Sequence, residues 1–286
     1  MIISVKNIEK SFGKNKVLND FSFDLKEANI TGLVGRNGSG KTTLLKIMSK
    51  IFDPDQGQVL LDGKDIRKNP KLIEHIAYLP DRFDYFNYSN PNKMIGYYKL
   101  IYPNFDSNFF INELRKNEID LSNNIRNYSK GIKNLLGLIT ILATRAEILL
   151  VDEILDGMDV LNKEVIKTYL LDAKEEGRTV LASSHELDEL YGISDDVLYL
   201  TKAGKIEKIS EGSDKFTKLQ IVVKDKLPQD ILELCILRFN LGRVYTILLG
   251  LDKEKAEELL KRDEIVQYDI LPSQVEDSFY WERGRK

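Results

Sequence analysis

The sequence predicts an α/β fold: a mostly parallel sheet with helices on both faces, an inserted helical segment, and a small C-terminal α+β domain. Three observations carry this prediction. Strand-like runs alternate with segments of helical period; a glycine-rich loop at 35–42 joins an apolar strand to a helix; and the apolar run Ile148–Val151 ends in two adjacent acids. Strands that alternate with helices favour parallel pairing with both sheet faces covered, because each crossover lays a helix on the sheet.

Taken in order, Ile2–Val5, Ser11–Val17 and Phe21–Leu25 read as strands, the last with Phe21, Phe23 and Leu25 on one face. Ile30–Val34 is a short apolar strand that the glycine loop closes. Lys41–Lys50 reads as a helix turning Leu44, Leu45, Ile47 and Met48 inward, and Gln58–Leu61 with Asp62-Gly63 as a strand and turn. The texture then changes. Phe83, Tyr85, Phe86 and Tyr88 crowd together, and helical periods follow in Lys93–Ile101, Ser107–Lys116 and Ile132–Arg145, which predicts a helical subdomain over about 82–145. The strand Ile148–Val151, the helix Asn162–Glu176 and the strands Thr179–Ser183 and Val197–Leu200 complete a first domain, 1–210. In 211–286, Gln220–Val223, Ile236–Phe239, Arg243–Leu249 and Ile265–Ile270 read as strands, and Asp252–Arg262 and Pro272–Trp281 as helices.

Composition narrows the function. The chain has 286 residues, 42% of them hydrophobic and 30% charged, with a formal net charge of −3. Disorder is excluded as the main state, and so balanced a charge gives no global pull toward nucleic acid. The lone Cys235 excludes a disulfide framework or a multi-Cys zinc site and fits a reducing cytoplasm. No apolar stretch approaches the roughly 20 residues of a membrane span, and the N-terminus lacks a signal-peptide pattern. A soluble, cytoplasmic chain is expected, any membrane span being supplied by another polypeptide.

Two motifs carry chemistry. Gly35-Arg36-Asn37-Gly38-Ser39-Gly40-Lys41-Thr42, followed by Thr43, matches G-x-x-x-x-G-K-[ST] between a strand and a helix. Its glycines let backbone N–H groups converge on phosphate at a helix N-terminus, Lys41 is placed to reach the β- and γ-phosphates, and the Thr42 hydroxyl to hold Mg²⁺. Downstream, Asp152 and Glu153 end the buried run, at the carboxyl edge of the sheet where ligands sit in open α/β folds. Asp152 is the candidate Mg²⁺ acid and Glu153 the candidate base for an attacking water. The only approach to a guanine-binding N-K-x-D is Asn162-Lys163-Glu164-Val165, which lacks the Asp.

Over about residues 1–210 the chain resembles the nucleotide-binding subunits of ATP-binding cassette (ABC) transporters. Tyr128-Ser129-Lys130-Gly131-Ile132 stands where that family has L-S-G-G-Q, with Ser129 and Gly131 matching. Asp156-Gly157-Met158-Asp159 resembles the loop after the catalytic acid, and Ser183-Ser184-His185 the strand end that carries a switch histidine. Phe12 stands where the family stacks an aromatic on adenine. Asp81 replaces a Gln that senses Mg²⁺ and couples to the membrane partner; its other reading is a solvated acid capping a turn. His75 has no such context and reads as structural. The resemblance implies a P-loop fold with an antiparallel β subdomain, and ATP and Mg²⁺ as ligands. It also implies a head-to-tail dimer in which Ser129 and Gly131 act on the partner protomer's ATP, a homodimer being expected and a heterodimer the alternative. A separate transmembrane permease would hold the chain at the inner face of the membrane, and nucleic acid is no partner. Tyr97–Asp106 and the tail Pro272–Phe279 are similar to bacitracin- and lantibiotic-type exporter subunits, which implies export of a drug or peptide. The alternative is a soluble ABC ATPase with a regulatory role.

Overall fold

The computed structural model describes residues 1–190, 192–200, 206–209, 216–273, 277, 280 and 281. The chain divides into two units, Met1–Lys208 and Ile209–Lys286.

Alternating apolar residues build the opening hairpin of β1 (Ile3–Phe12) and β2 (Asn15–Leu25), which pair antiparallel. The strand expected over Ser11–Val17 is therefore two strand ends and a turn. Gly13 takes φ +61°, a conformation open to glycine, and reverses the chain there. β3 (Ile30–Gly35) is buried along its whole length and leads through the glycine loop into α1 (Lys41–Met48). β4 (Gln56–Leu61) and β5 (Lys64–Asp65) join the hairpin in a four-stranded sheet ordered β2-β1-β4-β5. After a 3-10 turn at Pro70–His75, where His75 Nδ1 lies 2.9 Å from Glu147 Oε2, comes β6 (Ile76–Leu79).

The inserted helices follow: α2 (Pro91–Ile101), α3 (Ser107–Lys116) and α4 (Lys130–Ala143). Asn90, Asp106 and Ser129 cap them, each accepting from a backbone N–H in the first turn. The chain then returns to the main sheet through β7 (Ile148–Asp152), α5 (Val160–Glu175), β8 (Thr179–Ser184), α6 (Leu187–Leu190), β9 (Asp196–Leu200) and β10 (Ile206–Ile209). The sheet order is β10-β9-β3-β8-β7-β6. β9, β3, β8, β7 and β6 run parallel, so the ends of β3 and β7 come out on the same edge with only β8 between them. One core unites the two sheets and α1, with Val5, Leu33, Leu44, Leu150 and Leu181 fully buried.

The second unit comprises β11 (Thr217–Val223), α7 (Gln229–Leu234), β12 (Cys235–Leu241), β13 (Val244–Leu249), α8 (Lys253–Leu259) and β14 (Ile265–Ile270), with the antiparallel order β12-β13-β11-β14. Its core is Leu219, Ile221, Ile247 and Leu249 against Ile231 and Ala256. Of the helix expected over Pro272–Trp281, Pro272 and Ser273 are not helical and Asp277, Tyr280 and Trp281 are; the rest lies outside the described residues. No helix among the described residues is long and apolar enough to cross a membrane.

Candidate functional site

The site begins with the geometry of the loop after β3. Gly40 has φ +106°, and a Cβ there would fall 2.8 Å from Leu18 Cδ2, so glycine is required on both conformational and steric grounds. Gly35 has its own constraint: a Cβ would lie 2.8 Å from the Leu200 carbonyl oxygen. The turn is closed by Ser39 N–H donating to the Arg36 carbonyl at 3.0 Å. Lys41, the first residue of α1, is buried. Its Nζ donates to the Gly35 carbonyl at 2.7 Å and stands 2.9 Å from Glu153 Oε1. The Ser39 hydroxyl is also buried and has no partner among the described residues. A buried cation, an unpaired hydroxyl and a helix N-terminus in one loop suit an anion of several oxygens.

A pocket of about 400 Å³ opens over this loop. Its walls are Asn37, Gly38, Ser39, Gly40, Lys41, Thr42 and Thr43, with Phe12, Val17 and Glu153. Gly35 and Arg36 form the base of the loop without lining the pocket. Phe12, 48% exposed, stands edge-on to Phe52 at 5.9 Å, with Lys10 Nζ 5.6 Å from its ring centre.

β7 delivers the acids. Asp152 is fully buried, and it accepts from the Ser183 hydroxyl at 2.6 Å and from the Tyr78 hydroxyl at 3.3 Å. Burial pushes its carboxyl above the usual range; hydrogen bonds from Ser183 and Thr42 oppose the shift, and the charges of Glu153 and Asp81 add to it. The Tyr78 hydroxyl is likewise raised, by burial first and then by Asp152. A divalent cation would relieve this crowding of negative charge. The donor set, carboxylate and hydroxyl oxygen, is that of a hard cation such as Mg²⁺. Among the described residues no three His, Cys, Asp or Glu side chains cluster to hold a metal, so phosphate and water oxygens would complete its shell.

Glu153 has a left-handed backbone, φ +44°, an uncommon conformation for a residue with a side chain. Its N–H donates to Ser183 Oγ at 3.0 Å and to the Ser183 carbonyl at 3.2 Å, which holds the strained residue in place.

The remaining candidates lie around this centre. Asp81 is exposed after β6; it does not line the pocket, and its charge reaches Asp152 and Tyr78. His185 is half-buried after β8, its Nε2 4.0 Å from Asp156 Oδ1 and its buried Nδ1 without a partner among the described residues. Ser129 caps α4, accepting from Ile132 N–H at 3.3 Å, and neither it nor Gly131 lines the pocket of its own chain. Sequence reasoning missed Tyr78 and Ser183 as supports of Asp152, and missed the Lys41–Glu153 ion pair. Ser183 stands in the same short run as His185, which was the one available signal.

The ABC transporter family matches residues 18–156, a span holding the phosphate loop, Ser129, Gly131, Asp152 and Glu153. The chain carries an ABC transporter ATP-binding domain. It is an ATPase of this family, whose characteristic activity is ATP hydrolysis. This ABC ATPase is 27% identical to the ABC transporter ATP-binding protein YtrB of Bacillus subtilis, over 100% of this chain and 99% of YtrB. It is 27% identical to the lantibiotic transport ATP-binding protein SrtF of Streptococcus pyogenes, over 76% of this chain and 95% of SrtF. Among solved structures it shares its fold with MJ0796, a bacterial ABC transporter cassette seen as a dimer (TM-score 0.64, 21% identity, 73% of this chain and 100% of that one). The ADP conformation of the cassette MJ1267 is similar too (TM-score 0.62, 22% identity, 72% of this chain and 89% of that one).

Proposed function

We propose that this ABC ATPase powers a separate transmembrane permease that exports a drug or peptide, the chain being cytoplasmic and held at the inner face of the membrane by that permease. The observation that carries the reading is the convergence of Lys41 and Glu153, 2.9 Å apart, in a pocket walled by Phe12. The likeness to SrtF, whose name records lantibiotic transport, supports the exporter class.

In this reading Phe12 stacks on adenine, and residues Gly35–Thr43 with Lys41 at their centre wrap the phosphates. Thr42, Asp152 and Asp81 hold Mg²⁺, which when bound offsets the phosphate charge. Glu153 takes the proton of the attacking water, and His185 serves as the switch histidine. Ser129 and Gly131 complete the site of a second copy, dimerised head to tail. Gly131 has room for a Cβ within its own chain, the nearest atom standing 3.5 Å away, so its glycine suits close approach from outside the chain. The catalytic domain is 1–210 with its helical subdomain at about 82–145, and 211–286 is an accessory domain.

Affinity purification of the tagged chain from detergent-solubilised membranes of its host tests the reading. A polytopic membrane protein should co-purify in fixed ratio and raise the ATPase rate. Recovery of the chain from the soluble fraction alone, with no membrane protein attached, would overturn it.

A further inference from the structure

Asp156 lies in the turn after β7, between residues of two separate motifs. Its Oδ2 is 3.3 Å from Lys130 Nζ, in the first turn of α4, and its Oδ1 is 4.0 Å from His185 Nε2, just after β8. The turn is also tied to the glutamate before it, since Asp156 N–H donates to the Glu153 carbonyl at 3.2 Å. Gly157 permits the approach. Its φ is +64°, and a Cβ there would crowd Lys130 Nζ at 3.2 Å.

α4 meets this turn through two ties of different kind. Asn134 is buried and its Nδ2 donates to the Ile154 carbonyl at 2.8 Å, a bond that anchors the helix with or without Lys130. The Lys130 and Asp156 side chains are 51% and 46% exposed, so their pair contributes little to stability. It spans from the first turn of α4, beside the cap residue Ser129 and Gly131, to the turn that follows Glu153 and faces His185.

We propose that Lys130 and Asp156 are a positioning pair for ATP hydrolysis, holding the N-terminus of α4 in register with the Glu153–Asp156 turn. The inference rests on the proposed function, in which Ser129 and Gly131 act on the nucleotide of a second copy. A shift of the turn at one nucleotide is then passed through Asp156 and Lys130 to the Ser129 that serves the other.

Steady-state ATPase kinetics on the full chain test the pair. Lys130→Met should lower kcat about five- to fiftyfold, as expected when a catalytic group is displaced by a fraction of an ångström. KM for ATP should stay within about twofold, since the Lys41 pocket is untouched. Lys130→Arg should recover most of the rate, and Lys130→Met combined with Asp156→Asn should be no slower than Asp156→Asn alone, because the two act as a unit. Thermal melting should be unmoved by Lys130→Met. A wild-type kcat for Lys130→Met, a rise in KM without loss of kcat, or additive losses in the double variant would overturn the proposal. The underlying reading is checked separately by ATP-driven dimerisation of Glu153→Gln. Failure there contradicts the function itself, whereas a normal dimer beside an unimpaired Lys130→Met contradicts the positioning pair alone.

Discussion

Replacing Glu153 with Gln should tighten nucleotide binding while stopping turnover. Lys41 Nζ lies 2.9 Å from Glu153 Oε1, and the two side chains are only 3% and 22% exposed. A triphosphate entering the loop must share Nζ with this carboxylate and lie beside its negative charge. Unit charges about 4 Å apart interact by about 4 kcal/mol at an effective dielectric near 20. The phosphate replaces most of the attraction that Lys41 gives up, so the net relief in Glu153→Gln is the smaller repulsive part. That part is about 1–2 kcal/mol, or about five- to thirtyfold in Kd. Gln cannot take the proton of water, and losing a general base costs about 10²–10⁴ in rate. Calorimetry with a non-hydrolysable ATP analogue gives the affinity of both chains, and a phosphate-release assay gives the rates. Unchanged or weaker binding would refute competition at Lys41; turnover within threefold of wild type would refute the role of Glu153.

Phe12→Ala should weaken ATP and ADP binding alike by about 1–3 kcal/mol, the usual worth of base–aromatic stacking; equal calorimetric affinities in a folded variant would make Phe12 structural. Asp152 is held above its unfolded pKa by burial, so its penalty is absent at acid pH and grows as pH rises through the folded value. Asp152→Asn should therefore melt above wild type at neutral pH and draw level near about pH 4, around the unfolded value, while losing Mg²⁺-dependent turnover. A melting difference that is flat with pH would refute the sign. Asp81→Asn should raise the Mg²⁺ concentration needed for half-maximal hydrolysis, and superimposable Mg²⁺ titrations would place Asp81 outside the metal site.

How much of this was legible in the sequence depends on how local each feature is. The phosphate loop is a local device: its glycines answer to φ values and close contacts at 35 and 40, and a pattern of spacing captures them. Asp152 and Glu153 were legible because a fully buried parallel strand reads as an unbroken apolar run. The Lys41–Glu153 pair was not, because β3 and β7 are brought together only by β8 lying between them. Tyr78 and Ser183 were hidden for the same reason, as they reach Asp152 from strands on either side of it. In the fold, the turn at Gly13 was read through because the flanking residues keep a strand-like pattern. α7 was missed because it is a short segment, Gln229–Leu234, of which only Ile231 is buried, too little to show a helical period.

The central claim, that two copies of this ABC ATPase close on ATP with Ser129 of one serving the Lys41 pocket of the other, is tested most directly by molar mass. Light scattering on Glu153→Gln should show a doubled mass with Mg²⁺ and ATP and a single chain with ADP. Adding Gly131→Asp should leave ATP bound and the chain monomeric. A single-chain mass for Glu153→Gln at saturating ATP, or a dimer indifferent to Gly131→Asp, would contradict the account.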